Sequence, residues 1–387
     1  MRIHSIMIGF FLAIFIGITS INCVCFAQGS RHQSPLMMQR WENYVTSMKT
    51  QPLQKGCEPT YFQASEKNTQ GKAIQFKGTV ILYHGFTACP QQYFEWATQY
   101  LNKEGFDVFL PLLPGHGRAW TGKSNAENNI SGLPTRINWK AKYSQFVHEM
   151  NQIMTYASGI RVVGGLSVGG EAAISSVTLS DGIYDRVLLL SPFLKVSDEN
   201  AKSSKGFFWS DLLRSLQEDL QEIKISMIDL VSTPQNPLYS VSLKTQSWGA
   251  TCEGLERKGG RAGYCQFSLN AVSANQKLGQ KIIDDSLHFK HFPLVQIVSV
   301  ENDPVASIAT VKAWKENIDQ SSPSTSSMCV MPTGVNHSML SRFDSPKENK
   351  YWLNPLLKSI TLFVSEGQII SNKDKISKDE GVPFCEM

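Results

Sequence analysis

Short apolar runs alternate with longer amphipathic stretches along the chain from residue 79 onward. Runs rich in β-branched residues or leucine predict buried strands over residues 79–83, 106–110, 160–163 and 186–190. Apolar positions at helical spacing predict helices between them, over residues 90–104, 138–158 and 172–179. Strands that alternate with helices are typical of an α/β protein with a mostly parallel central sheet flanked by helices.

This alternation stops after residue 194 and resumes late, with strands predicted over residues 294–300 and 328–331 and helices over residues 311–317 and 351–366. Residues 195–291 are therefore an insertion between two strands, with a helical stretch of its own at 209–231. An insertion that follows a strand lies at the carboxyl edge of the sheet, where open α/β sheets bind ligands. We expect a largely helical cap; the alternative is an insertion that only covers core. The core then comprises residues 28–194 and 292–370, followed by a polar tail over residues 371–387.

The first residues carry the pattern of an export signal. After Arg2, an apolar run extends only from residue 6 to residue 18, whereas a helix that spans a bilayer needs about 20 residues. We expect cleavage after Ala27, so that residues 1–27 form a signal peptide. An uncleaved membrane anchor is the alternative, because residues 19–27 carry no charge. Lipidation of Cys23 or Cys25 is disfavoured, because neither follows a small residue.

Composition and charge narrow the class of protein. With 387 residues, 42% of them hydrophobic and 18% charged, the chain is long and apolar enough for a globular core. Lys and Arg total 37 against 33 Asp and Glu, and they are spread along the chain. Because nucleic-acid-binding domains concentrate their positive charge, no nucleic-acid partner is expected.

The cysteines indicate disulfides. An even number remains after loss of the signal peptide, namely Cys57, Cys89, Cys252, Cys265, Cys329 and Cys385. In an oxidising compartment such cysteines pair, and although Cys252 and Cys265 bracket a glycine-rich turn, the sequence leaves the pairing open. The chain has no CxxC pair and no clustered His and Cys residues, so neither a metal nor a cofactor is expected.

The strongest chemical signal is the segment Gly165-Leu166-Ser167-Val168-Gly169, which follows a predicted strand and precedes a helical stretch. A serine on such a sharp turn is exposed, and the flanking glycines leave room for the neighbouring elements. The helix that begins there directs N–H groups and a positive dipole toward the serine, which favours an oxyanion. The alternative is an ordinary glycine-rich turn. We expect Ser167 to be a nucleophile.

A serine hydroxyl needs a base to remove its proton and a carboxylate to orient that base. His337 follows the strand predicted at 328–331, and Asp303 follows the strand predicted at 294–300. The chain order Ser, Asp, His is the one found with a GxSxG turn. The alternatives are a surface histidine and a helix-capping aspartate. The competing carboxylates, in the insertion or close to it, are Asp198, Asp284 and Asp285.

The segment His84-Gly85-Phe86-Thr87 ends the first core strand, where a second oxyanion donor is expected. The backbone N–H groups of Phe86 and Val168 are the predicted donors. We expect His84 to have a structural role, in which it hydrogen-bonds to this loop. His116, in the turn at residues 114–117, is expected to shape a loop.

These motifs together resemble the α/β-hydrolase superfamily, and within it the carboxylesterases and the serine hydrolases similar to monoacylglycerol lipases. The resemblance covers roughly residues 79–366 and is carried by LYHGFT, LPGHG, GLSVGG, the DPV at Asp303 and the NHS around His337. It implies ester hydrolysis through an acyl-enzyme, with Ser167 as nucleophile, His337 as base and then acid, Asp303 as its orienter, and Phe86 and Val168 as oxyanion donors. The sequence departs from this resemblance elsewhere: the cap is larger than the compact lids of small esterases, and the resemblance places no counterpart for the cysteine-bearing segments or the stretch through Gln75.

The expected substrate is a small acyl ester or a lipid, and the protein would contact lipid surfaces only transiently. Aromatic residues are available to line an acyl pocket or, alternatively, to pack the cap: Trp120, Trp139, Phe207, Phe208, Trp209, Trp248, Tyr264 and Phe267. An acyltransferase or a peptidase would use the same triad, and a non-catalytic binding protein would share the fold. A glycosylation sequon at Asn336, beside His337, favours a bacterial, exported protein, either periplasmic or secreted. The oligomeric state is not predicted.

Overall fold

A computed structural model describes residues 32–50, 52–118, 132–180, 182–197, 232–235, 245–247, 262–263, 266–286, 288–289, 291–322, 325–340, 342 and 352–370. The predicted signal peptide, most of the predicted cap and the polar tail lie outside the described residues, and so do Cys252, Cys265 and Cys385.

The described strands are β1 (Thr60–Phe62), β2 (Gly78–Tyr83), β3 (Phe106–Leu110), β4 (Ile160–Leu166), β5 (Arg186–Leu190), β6 (Thr245–Ser247), β7 (Gln266–Ser268), β8 (Leu294–Val300) and β9 (Ser326–Met331). Seven of them form one sheet in the order β1-β3-β2-β4-β5-β8-β9, and β6 pairs with β7 separately. In the large sheet only β1 is antiparallel to its neighbour. The predicted, mostly parallel sheet is therefore confirmed, and the carboxyl ends of its six parallel strands lie at one edge.

The described α-helices are α1 (Pro35–Met48), α2 (Phe94–Trp96), α3 (Trp139–Met154), α4 (Val168–Thr178), α5 (Leu269–Ser286), α6 (Ile308–Ser321) and α7 (Leu353–Glu366). The helix predicted over residues 90–104 is a chain of short pieces. The 3₁₀ turn Pro90–Tyr93 precedes α2, and a π-helical turn, Ala97–Leu101, and a second 3₁₀ turn, Asn102–Glu104, follow it. Gly105, with a φ of 92°, ends this stretch in the left-handed conformation that glycine adopts easily.

The helices cover both faces of the sheet. Successive side chains of each strand point to opposite faces, so each strand contributes to both helical layers. In β2, Ile81 and Tyr83 belong to a buried cluster shared with α1, α3, α4, α5 and α6. Val80 and Leu82 belong to a second cluster, on the other face, shared with the 90–104 stretch and α7. The strands are apolar on both faces for this reason, as expected for parallel strands that lie between two helical layers.

The predicted elements of the core match the structure closely, with strands β3, β5 and β8 at the predicted bounds. Helix α4 begins at Val168, four residues before the predicted start, because packing outweighs the low helix propensity of the two glycines after Val168. Helix α1 was not predicted, although Ser34 caps it and Pro35 occupies its first turn. Helix α5 lies within the predicted insertion, and its Leu278 and Ile282 pack in the main core.

The expectation of disulfides is confirmed by a bond between Cys57 and Cys89, with the Cα atoms 4.6 Å apart. Cys329 is also disulfide-bonded. No helix within the described ranges is long and apolar enough to cross a membrane.

Candidate active site

The turn between β4 and α4 holds Ser167 in a strained backbone conformation. Its φ is 57° and its ψ is −121°, a region that non-glycine residues rarely adopt and that costs about 1–3 kcal/mol. The turn is fixed by two backbone hydrogen bonds, from Ser167 N to Leu190 O at 2.9 Å and from Gly170 N to Ser167 O at 2.8 Å. Within the described part of the chain, the Ser167 hydroxyl caps no N–H group of α4. Ser167 is 3% exposed, so the expectation of an exposed serine is wrong: the residue is buried where α4 begins against the ends of the strands.

The two glycines that flank Ser167 are required by close backbone contacts. A Cβ atom on Gly165 would lie 2.0 Å from the carbonyl oxygen of Gly169, and one on Gly169 would lie 1.9 Å from the carbonyl oxygen of Tyr83. Both distances are far inside van der Waals contact. The spacing of the glycines around the serine thus has a steric cause: helix α4 approaches the ends of β2 and β4 more closely than any side chain permits.

His337 and Asp303 are in direct contact. His337 Nδ1 lies 2.7 Å from Asp303 Oδ2, and both residues are largely buried. Burial raises the pKa of Asp303, but the adjacent His337 and the N–H groups of Val305 and Ala306 outweigh it, so the pKa of Asp303 is below its ordinary value. The ionised carboxylate accepts a hydrogen bond from the Nδ1–H group of His337. The buried Nε2 atom of His337 has no hydrogen-bond partner among the described residues, so it is free to accept a proton.

The sheet order explains which predicted residues come together. Ser167, Asp303 and His337 follow β4, β8 and β9, whose carboxyl ends lie at one edge with β5 between β4 and β8. Asp303 is thus in contact with His337, and Ser167 lies at the same edge. Two of the competing carboxylates have partners on α5 instead. Asp284 accepts a hydrogen bond from Gln280, and Asp285 accepts one from Lys281. Asp198 lies outside the described residues.

The loop after β2 carries Phe86, one of the two predicted oxyanion donors; Val168, the other, is the first residue of α4. His84 fixes this loop to the next one: its Nε2 accepts the Leu113 N–H at 3.0 Å, and its Nδ1 donates to Gly85 O at 2.8 Å. Burial, followed by the neighbouring His116, holds the pKa of His84 well below its ordinary value. His84 is therefore a neutral structural link, as expected.

The surroundings of Phe86 are apolar and aromatic. Its ring centroid lies 5.6 Å from that of Phe267 and 5.8 Å from that of His116. Burial lowers the pKa of His116 to about 4, so this ring is neutral as well. Of the other aromatic residues predicted to line a pocket, Trp139 packs against the main core. Outside the described residues lie Trp120, Phe207, Phe208, Trp209, Trp248 and Tyr264.

Two features near the site were not specified by the sequence analysis. Glu171, one turn after Ser167 on α4, is fully buried, although charged side chains are usually exposed. Burial holds its pKa well above the ordinary value, and the nearby Gly279 N–H offsets this only in part. The second feature is the pairing of Cys57 with Cys89, which ends the loop that carries Phe86. Disulfides were expected from the even number of cysteines, but the sequence left their pairing open.

The described ranges contain no group of three or more His, Cys, Asp or Glu side chains that is placed to hold a metal ion.

Comparisons with known proteins give one matching family model and structures of similar fold. Residues 74–246 match the family model described as serine aminopeptidase, S33. A monoacylglycerol lipase from Paleococcus ferrophilus has 14% identity and a TM-score of 0.51, with 80% of this chain and 98% of that chain covered. A soluble variant of monoglyceride lipase from Saccharomyces cerevisiae has 13% identity and a TM-score of 0.53, with 82% of this chain and 96% of that chain covered. No curated protein sequence matches. At this level of identity, the similarity to these structures establishes a shared fold and no more.

Proposed function

Because this chain has the α/β-hydrolase fold, we propose that it is a serine hydrolase that cleaves carboxylic esters through an acyl-enzyme, with Ser167, His337 and Asp303 as its triad. The observation that carries the proposal is the buried Asp303–His337 pair. Its hydrogen bond places the proton on Nδ1 and leaves Nε2 as an unpaired acceptor within the described structure, at the sheet edge that also holds the strained Ser167.

In this mechanism His337 Nε2 takes the hydroxyl proton as Ser167 Oγ attacks the ester carbonyl carbon. His337 then gives that proton to the leaving alkoxide oxygen, and the acyl group stays on Ser167. Water attacks the acyl-enzyme with His337 again as base, which releases the carboxylic acid and restores the serine. The low pKa of Asp303 keeps its carboxylate ionised through this cycle, so it stabilises the imidazolium that forms twice.

The negative charge on the carbonyl oxygen would be stabilised by the N–H groups of Phe86 and Val168. Val168 opens helix α4, so its N–H lies at the positive end of the helix dipole. The apolar residues around Phe86, which include Phe267, Leu133 and Val272, would accept the acyl chain of a lipid or a simple ester.

Hydrolysis of p-nitrophenyl esters from acetate to palmitate tests this proposal. We expect turnover by residues 28–387, and a loss on the order of 10⁴-fold or more in kcat for Ser167→Ala. Ser365→Ala is the matched control, because the Ser365 hydroxyl on α7 is buried with no hydrogen-bond partner in the described ranges. It should keep its activity. Equal turnover by wild type and Ser167→Ala would refute the assignment of the nucleophile.

A peptidase is the second candidate, because the matching family model is described as a serine aminopeptidase. The same triad would then attack an amide carbonyl, and His337 would protonate a leaving amine. Aminoacyl p-nitroanilides beside the p-nitrophenyl esters separate the two functions. Ester hydrolysis with kcat/KM more than about 100-fold above that for anilides of equal acyl size would favour the esterase, once the difference in leaving group is measured with a reference esterase.

We also propose that the protein is exported, with cleavage after Ala27. The Cys57–Cys89 disulfide supports an oxidising compartment. Intact mass measurement of the protein recovered from its native host tests the cleavage site. A chain that retains residues 1–27 would favour the membrane anchor instead.

A further inference from the structure

The loop that carries the Phe86 N–H is held at its far end by a covalent bond. Residues 84–89 connect β2 to the helical stretch that begins at Pro90, and Cys89 pairs there with Cys57. Cys57 belongs to the segment before β1, and its separation from Cys89 is 32 residues in sequence. Both cysteines are fully buried. The bond thus connects this loop to the segment between α1 and β1, which contains Cys57.

The loop contains a strained residue beside this bond. Thr87 has a φ of 59°, which is costly for a side chain with a branched β-carbon, and it is buried. Such a conformation persists only where the surroundings impose it. Relaxation of Thr87 would turn the chain between β2 and Cys89, which includes the Phe86 N–H. Whatever holds Thr87 therefore also sets the direction of the predicted oxyanion donor.

Two other segments meet at the same place. Gly117, in the turn after β3, packs so closely that a Cβ there would lie 2.8 Å from Cys57 Cβ. Ala262 joins Cys57, Cys89 and Leu112 in one small buried cluster. The next residue, Gly263, lies so near the loop that its Cβ would be 2.3 Å from the carbonyl oxygen of Thr87. The disulfide therefore belongs to the cluster that adjoins Gly263, and Gly263 packs against Thr87.

Hydrogen bonds also connect the loop, the segment of Cys57 and the segment of Ala262. Gly85 N donates to Gln92 Oε1 at 2.9 Å, and Gln91 N donates to Gly56 O at 3.1 Å, next to Cys57. Ala262 N donates to Gln91 Oε1 at 2.6 Å. Gln91 thus links the segment of Cys57 to the segment of Ala262, next to the disulfide.

We propose that the Cys57–Cys89 disulfide is a positioning element of the oxyanion hole: it holds residues 84–89 so that the Phe86 N–H points to where the oxyanion forms. This inference rests on the proposed ester hydrolysis. Loss of the bond lowers kcat, since the donor acts on the transition state, and leaves KM nearly unchanged, since the apolar contacts of the substrate remain.

The test is the double variant Cys57→Ser/Cys89→Ser, measured well below its melting temperature. We expect kcat to fall at least about tenfold and at most by the roughly 100- to 1,000-fold that follows complete loss of an oxyanion donor, while KM changes less than about threefold. Affinity for a trifluoromethyl ketone, whose serine adduct carries an oxyanion, should fall in parallel with kcat. If the bond were purely stabilising, its loss would lower the melting temperature and leave kcat and the affinity for the ketone as they were.

Leu53→Ala is the matched control, because Leu53 packs against the same cluster and its loss leaves the disulfide intact. It should lower the melting temperature with kcat within about twofold of wild type. If the double variant does not fold, wild type is treated with dithiothreitol until thiol labelling and intact mass show that the buried Cys57–Cys89 bond is reduced. Dithiothreitol is oxidised to its cyclic disulfide as each protein disulfide gains two electrons and two protons. Cys329→Ser lacks the second disulfide, that of Cys329, and is treated in the same way. If reduction lowers its kcat as much as that of wild type, the fall comes from the Cys57–Cys89 bond.

The outcomes are separable from those of the proposed function. Wild type that hydrolyses no ester would overturn the proposed function itself. Wild type whose turnover depends on Ser167, beside a double variant or a reduced enzyme with unchanged kcat, would overturn only the positioning role of the disulfide.

Discussion

Asp303 uses its two carboxylate oxygens for different tasks. Oδ2 lies 2.7 Å from His337 Nδ1, whereas Oδ1 accepts the N–H groups of Val305 at 2.8 Å and Ala306 at 3.1 Å. The backbone therefore fixes the plane of the carboxylate, and the carboxylate fixes the imidazole ring. This division of tasks determines what happens when one oxygen is replaced by an amide nitrogen.

Asp303→Asn is expected to reduce kcat by about 1,000- to 10,000-fold with little effect on folding. The N–H groups of Val305 and Ala306 require an oxygen, so the amide oxygen takes the Oδ1 position and the NH₂ group faces His337. An NH₂ donor selects the tautomer in which Nδ1 accepts and Nε2 carries the proton. That tautomer cannot take the proton of Ser167. Steady-state hydrolysis of p-nitrophenyl acetate measures the loss.

Asp284→Asn is the control for this substitution, because Asp284 is on helix α5 and bonds only to Gln280 among the contacts described for it. It should keep wild-type turnover. If Asp303→Asn retains more than about a tenth of the wild-type kcat, another group orients His337 and the assignment of Asp303 is wrong.

The residues of the proposed triad were predictable because each follows an apolar strand, and parallel strands bring their carboxyl ends to one edge. The contact between His337 and Asp303 needed the structure, since strand order decides which loops are neighbours. The Cys57–Cys89 pairing could not be predicted either, because it too depends on which segments are neighbours in the fold. Six cysteines leave fifteen pairings open, and what selects this one is the packing of segments far apart in sequence.

Gly169→Ala is expected to destabilise the protein by about 1–3 kcal/mol or more, although alanine is favoured over glycine in a helix by about 1 kcal/mol. The added methyl group would lie 1.9 Å from the carbonyl oxygen of Tyr83, so helix α4 must move away from β2. That movement displaces Ser167 and Val168, and activity should be lost together with stability. Urea unfolding and ester turnover measure the two effects.

Gly182→Ala serves as the comparison. Gly182 has a φ of 67°, but a Cβ there would meet nothing within 4 Å. Gly182→Ala should lower the free energy of unfolding only by the backbone strain, about 1–2 kcal/mol, and leave turnover unchanged. A Gly169→Ala protein as stable and as active as wild type would mean that α4 does not approach β2 as closely as described.

Glu171 is expected to make the protein less stable as pH rises. Its carboxyl group is fully buried against α5, beside the backbone of Gly279. Burial raises the pKa of Glu171 in the folded state well above that in the unfolded chain. Between the two pKa values the folded protein binds the extra proton, so the free energy of unfolding falls with pH, by at most about 1.4 kcal/mol per pH unit.

Glu171→Gln removes this dependence, because the amide has the same shape and no charge to bury. We expect the difference in free energy of unfolding between the variant and wild type to grow in favour of the variant from about pH 5 upward, and to level off above the folded-state pKa. Below about pH 4, where the carboxyl group is protonated in both states, the two proteins should differ by a constant amount. Urea titrations at unit intervals from pH 4 to pH 9 measure that difference. A difference that stays constant across the whole range would mean that Glu171 ionises equally easily in both states, which is incompatible with a carboxyl group enclosed between α4 and α5.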